Sequence, residues 1–110
     1  MTTATLTHTA ALARLGHALS DPTRAGILLA LRGASAYPSE LAERLGVSRQ
    51  VMSNQLACLR GCGLVAATPE GRRSAYRLAD DHLAPALDEL LQVVLVVEPD
   101  CCSGEGCTCA

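Results

Sequence analysis

A mainly α fold with one small β-hairpin is what this chain predicts, and three observations carry the prediction. Apolar residues recur at helical spacing over the first half of the chain. A helix stopped by Gly46 runs through Val47-Ser48 directly into a second helix. Two strand-like segments then flank the turn signal Pro69-Glu70-Gly71-Arg72. At 110 residues the chain has the size of one ordinary domain.

From Leu6 to Leu19 the apolar positions Ala10, Ala11, Leu15, Ala18 and Leu19 form the stripe of a first amphipathic helix. Ser20-Asp21-Pro22 stops it and starts another, with Asp21 placed to cap and Pro22 suited to a first turn. This second helix runs to about Arg32, turns Ile27, Leu28 and Leu31 inward, and ends at Gly33. Tyr37 to Gly46 reads as a short helix. Ser48 is a good N-cap for the next one, Arg49 to about Gly61, whose first two turns carry Arg49, Gln50, Ser53, Asn54 and Gln55. The strands Leu64–Thr68 and Arg73–Leu78 make a basic-tipped hairpin after it, which completes a winged helix-turn-helix. A last helix is expected from about Asp81 to Val97. Its second half is apolar nearly all round, more than a lone small domain buries, and is read as the interface of a homodimer. Residues 1–98 are thus a DNA-binding and dimerisation domain, and residues 99–110 a flexible, cysteine-rich, metal-binding tail.

Although 49% of the residues are hydrophobic, Trp and Phe are absent, so the core is built from Leu, Val and Ala. A net charge of −2 argues against a protein that coats nucleic acid indiscriminately. The distribution says more than the sum. Arg49, Arg60, Arg72, Arg73 and Arg77 make the middle basic, whereas the later acidic residues make the C-terminal part acidic. The start of the chain lacks the pattern of a secretory signal, and Leu90–Val97 is too short an apolar run to span a bilayer, so a cytoplasmic protein with reduced thiols is expected.

Six cysteines fall into three close pairs: Cys58 with Cys62, Cys101 beside Cys102, and Cys107 with Cys109. At roughly 100° per residue, Cys58 and Cys62 lie about 40° apart on one helix face, shared with Val51 and Gln55. Met52, Leu56 and Leu59 form the neighbouring stripe, expected to face the core. Two helix thiols leave a coordination shell open, and tail cysteines of the same or the partner subunit are placed to close it. Thiolate-only sites favour soft ions such as Cd(II), Pb(II) and trivalent As or Sb over oxygen-seeking ones. The near-adjacent dithiols of the tail tilt the reading towards As(III) or Sb(III). His8, His17 and His82 are scattered and make no site, and no nucleophile has a placed base, so an enzyme is not expected.

The order of elements, with Leu19-Ser20-Asp21-Pro22-Thr23-Arg24 before Ile27-Leu28, and Ser53 to Val65 as recognition helix and first wing strand, resembles the ArsR/SmtB family of metal-responsive repressors. The resemblance spans residues 12 to 97. Within the family it is nearest the CmtR-like branch, which implies Cd(II) or Pb(II) sensing through Cys58, Cys62 and one of Cys101 or Cys102. A zinc site on the last helix is not implied, because Asp80 and His82 lack the downstream ligands.

These readings converge on a homodimeric repressor. Ser48, Arg49, Gln50, Ser53, Asn54 and Gln55 are expected at the major groove of operator DNA, with Arg72 and Arg73 on phosphates or in the minor groove and Arg24 as a further backbone contact. An ion held by thiolates drawn from Cys58, Cys62, Cys101, Cys102, Cys107 and Cys109 would release it. Its rivals are a thiol-redox repressor with the same fold and, in a different class, a thiol oxidoreductase or metal carrier. The latter lacks the expected Cys-x-x-Cys before a helix.

Overall fold

The computed structural model describes residues 7–93, 95 and 96. Five helices and a hairpin follow one another: α1 (His8–Leu19), α2 (Pro22–Ala30), α3 (Pro38–Leu45), α4 (Arg49–Gly61), β1 (Val65–Glu70), β2 (Arg73–Leu78) and α5 (Leu83–Leu90). This is the winged helix-turn-helix arrangement that the sequence predicts.

Side chains cap the first, second and fourth helices, the latter two where the sequence places them. Thr7 Oγ1 accepts the Ala10 N–H, Asp21 Oδ2 the Arg24 N–H at 3.0 Å, and Ser48 Oγ the Val51 N–H at 3.1 Å. Each hydroxyl or carboxylate satisfies one of the donors that a helix start leaves without an intrahelical partner. The third helix begins differently. Pro38 opens it, and the Glu40 carboxylate reaches back to the Tyr37 N–H at 2.9 Å. It ends at Gly46, whose φ of 67° is the left-handed C-terminal geometry that glycine adopts without strain.

Ile27 and Leu28 of α2, Leu41 of α3, and Met52, Leu56 and Leu59 of α4 are essentially inaccessible to solvent and form the centre of one core. Burial of each such side chain stabilises the fold by about 1.5–3 kcal/mol. No aromatic ring lies among the buried residues; Tyr76 only packs against them from the wing. The wing also pairs with a single residue ahead of α3: Ala36 and Tyr76 exchange both backbone hydrogen bonds, at 3.0 and 2.8 Å. That bridge seats the hairpin beside the helix-turn-helix.

Several boundaries differ from expectation, among them that of α2, which ends at Ala30 rather than about Arg32. β1 continues through Pro69 and Glu70, leaving Gly71 and Arg72 as a two-residue loop with Gly71 at φ 65°. Proline is tolerated there because a two-stranded hairpin leaves one edge of β1 unpaired. α5 starts only at Leu83, after the Asp80 carboxylate has captured the His82 N–H at 2.7 Å in a turn. It ends at Leu90 rather than Val97. Beyond it Leu91, Val93, Leu95 and Val96 are 55–95% exposed, so valines of poor helix propensity have no packing surface to hold them helical.

Candidate DNA-binding and thiolate helix

Helix α4 is amphipathic in a way that divides its roles. Met52, Leu56 and Leu59 anchor it in the core, while Arg49, Gln50, Ser53 and Asn54 are exposed over its first two turns. Gln50 Nε2 donates to Asn54 Oδ1 at 3.0 Å, one turn along. This contact holds two amide side chains, the types that read base edges, in register on the open face. Ser48 is engaged as the N-cap.

Gln55 departs from that group. It is half-buried and its Oε1 accepts from Arg24 Nη1 of α2 at 3.1 Å, so it faces another helix rather than the open surface. Arg24 also donates through Nε to the Ala18 carbonyl and through Nη2 to the His17 carbonyl. The sequence reading gave Arg24 only as a DNA-backbone contact. The signal for more was its place in the first turn of α2, where the helix dipole disfavours a cation.

At the wing, Arg72 is exposed at the loop. Arg73, expected alongside it, lies with its guanidinium 3.6 Å from the centre of the Tyr37 ring, a cation–π stack that ties β2 to the start of α3. The Tyr37 hydroxyl donates to Glu70 Oε1 at 2.7 Å. That hydrogen bond, together with the carboxylate's charge, holds the Tyr37 phenol above its usual pKa of 10.0. Across the hairpin, Arg77 Nη1 donates to Thr68 Oγ1 at 3.0 Å.

Cys58 and Cys62 stand at the other end of α4. Both are free and half-buried, and the Cys62 N–H donates to the Cys58 carbonyl at 3.0 Å, which puts them one helical turn apart. Side chains at this spacing have Cβ atoms about 5–6 Å apart, wider than the 3.5–4.5 Å of a disulfide. Two soft donors so placed suit a bridging thiophilic ion, whereas a disulfide between them requires the helix end to unwind. Among the described residues no third His, Cys, Asp or Glu joins them in a metal-binding group. Cys101, Cys102, Cys107 and Cys109 lie outside the described residues. Also among the described residues, no helix is long and apolar enough to cross a membrane.

Residues 21–67, the segment from the Asp21 cap through α4 into the wing, match the family model of bacterial regulatory proteins of the arsR family. The chain is 62% identical over 90 residues to the HTH-type transcriptional regulator CmtR of Mycobacterium tuberculosis, covering 82% of this chain and 76% of that protein. The solved structure of the cadmium metal-sensor CMTR from M. tuberculosis superposes with a TM-score of 0.65 at 61% identity, over 80% of this chain and 92% of that one. A homodimeric winged helix-turn-helix domain of Mycobacterium bovis superposes with a TM-score of 0.70 at 28% identity, over 81% of this chain and 87% of that one. A probable mercury resistance operon repressor of Streptomyces lividans is 33% identical over 105 residues, 91% of this chain and 84% of that protein. The chain therefore belongs to the arsR family of bacterial regulatory proteins, whose members matched here are transcriptional regulators rather than enzymes.

Proposed function

We propose that the protein is a homodimeric repressor that leaves its operator when Cd(II) or Pb(II) is held by Cys58, Cys62 and one or more tail thiolates, with Cys101 and Cys102 the first candidates. One observation carries the reading. A single helix presents an exposed polar face at its N-terminal end and two free thiols one turn apart at its C-terminal end. Holding an ion at the thiols while DNA is read at the other end makes the helix's setting common to both events. The ion must bind the DNA-incompetent setting more tightly, by about 1.4 kcal/mol for each tenfold loss of operator affinity.

The choice of ion moves from As(III) or Sb(III) to Cd(II) or Pb(II). The metalloid preference rested on adjacent tail thiols, and a cluster of thiolates is a soft donor set for all four ions. The similarity to a protein described as a cadmium metal-sensor favours the divalent reading. Hg(II), which is satisfied by two opposed thiolates, is a second candidate supported by the Streptomyces relative and by the pairing of Cys58 with Cys62.

Dimerisation rests on the apolar surface near α5. Leu90 is 49% and Leu95 77% exposed, and a groove of about 370 Å³ opens between Leu19, Leu29, Leu87 and Leu91. Contiguous apolar area of this kind marks an interface in soluble proteins. A dimer would set two α4 helices about 34 Å apart, one turn of DNA, over an inverted repeat.

The deciding experiment is anaerobic fluorescence anisotropy of the reduced protein on its own promoter DNA, titrated with Cd(II), Pb(II), Hg(II), arsenite, antimonite and peroxide. Release at near-stoichiometric Cd(II) or Pb(II), with arsenite and peroxide inert, is the expected result. Release by peroxide alone returns the thiol-redox reading, and release by antimonite or arsenite alone returns the metalloid one.

A further inference from the structure

The guanidinium of Arg24 leaves its own helix altogether. Its Nε and Nη2 donate to the Ala18 and His17 carbonyls, 3.2 and 3.0 Å away, in the last turn of α1, where the His17 carbonyl also accepts the Ser20 N–H and hydroxyl. Nη2 also reaches Ser20 Oγ at 3.4 Å, and Nη1 donates to Gln55 Oε1 of α4. A cation disfavoured by the start of α2 thus sits at the negative end of α1 and holds α4 at the same time. Among the described residues, the Arg24–Gln55 contact is the one side-chain hydrogen bond between α4 and another helix. Gln55 follows the exposed Asn54 and precedes Cys58 by three residues, between the polar face and the thiols.

We infer that Arg24 is a positioning residue: it fixes the setting of α4 against the C-terminal end of α1 and thereby sets operator affinity without touching DNA. The inference rests on α4 being the DNA-reading helix. All three guanidinium nitrogens donate to partners within the protein, which leaves little for a phosphate. A lysine cannot replace it, because one ammonium on a flexible stem does not span three helices as a planar fork does.

The test uses the full-length, reduced, metal-free protein with Arg24→Gln and Arg24→Lys, measuring operator affinity against salt concentration and amide hydrogen exchange without DNA. Both variants are expected to bind about tenfold more weakly, with an unchanged salt slope, since no phosphate contact is lost. Gln55→Met is expected to weaken binding alone and to add less than about twofold on top of Arg24→Gln, because both cut one link. Exchange is expected to rise together in the last turn of α1 and the middle of α4. A slope lowered by about 0.9 in Arg24→Gln and restored in Arg24→Lys makes Arg24 a DNA contact and overturns the proposal. So does a lower melting temperature with unchanged affinity of the folded protein, which is a merely structural role. If the unsubstituted protein does not bind its promoter, the reading of α4 fails, and the exchange data still decide whether Arg24 ties the helices.

Discussion

The two ends of α4 obey different chemistry although one backbone runs through both. At the N-terminal end Arg49, Gln50, Ser53 and Asn54 are exposed, pre-arranged by the Ser48 cap and the Gln50–Asn54 contact. At the C-terminal end Cys58 and Cys62, either side of the buried Leu59 and the exposed Arg60, are half-withdrawn from solvent. A reading surface has to be open to a large polyanion, whereas a soft-ion site gains from partial exclusion of water. Both ends hang on the same buried stripe of Met52, Leu56 and Leu59. On the proposed function, the core makes the helix a lever between operator and ion, so that whatever tilts one end is felt at the other.

Breaking that division at the thiol end should give the largest effect. Cys58→Ser is expected to remove metal-driven release, a coupling of about 1–3 kcal/mol or 5–150-fold in operator affinity. Affinity without metal should stay near that of the parent, since Cys58 lies away from the exposed polar face. Anisotropy titrations with and without Cd(II) read both quantities. A variant that fails to fold by circular dichroism would instead make the cysteine a packing residue. At the opposite end, Asn54→Ala should weaken operator binding by about 1–3 kcal/mol for the loss of an amide reading a base. The ratio of affinities with and without metal should not change. A shift in that ratio would mean that the two ends of the helix are not separable.

What the sequence made legible divides along similar lines. Asp21 and Ser48 announce helix starts because capping is local, decided within three residues by a short polar side chain. The stripe of Ile27, Leu28, Met52, Leu56 and Leu59 was legible because helical periodicity and burial coincide in this part of the chain. They part company at α5. The apolar run from Leu90 to Val96 says that the segment seeks a partner, but not that it is helical without one. Contacts across the chain left no local trace: Arg24 and Gln55 are 31 residues apart, and Arg73 gives no hint of the ring beneath it. Cys58 and Cys62 could be placed on one face from spacing alone. Composition could not choose their ion, since softness is common to every candidate.

The wing sharpens the comparison with smaller effects, because its two adjacent arginines serve different ends. Arg72 is exposed at the loop, and Arg72→Ala is expected to lower the slope of log affinity against log salt by about 0.9, the signature of one phosphate contact. Arg73→Ala should act mainly by freeing the wing from Tyr37, a loss of about 0.5–1 kcal/mol for an exposed cation–π pair. Equal changes of slope for the two would place both on DNA and remove the distinction.

The smallest effect is a titration. Because the Glu70 carboxylate accepts the Tyr37 hydroxyl hydrogen and repels a phenolate, folding favours the neutral phenol and raises its pKa. A group whose pKa is raised on folding contributes its stabilisation fully below the unfolded value, near 10, and loses it as pH climbs through the higher folded value. Ultraviolet absorbance of phenolate during alkaline titration should therefore show Tyr37 ionising above the usual phenol range. Glu70→Gln keeps an acceptor but removes the charge, and should bring that titration down. If it does not move, the Tyr37–Glu70 contact is broken in solution and the wing is held to α3 by Arg73 and the Ala36–Tyr76 bridge alone.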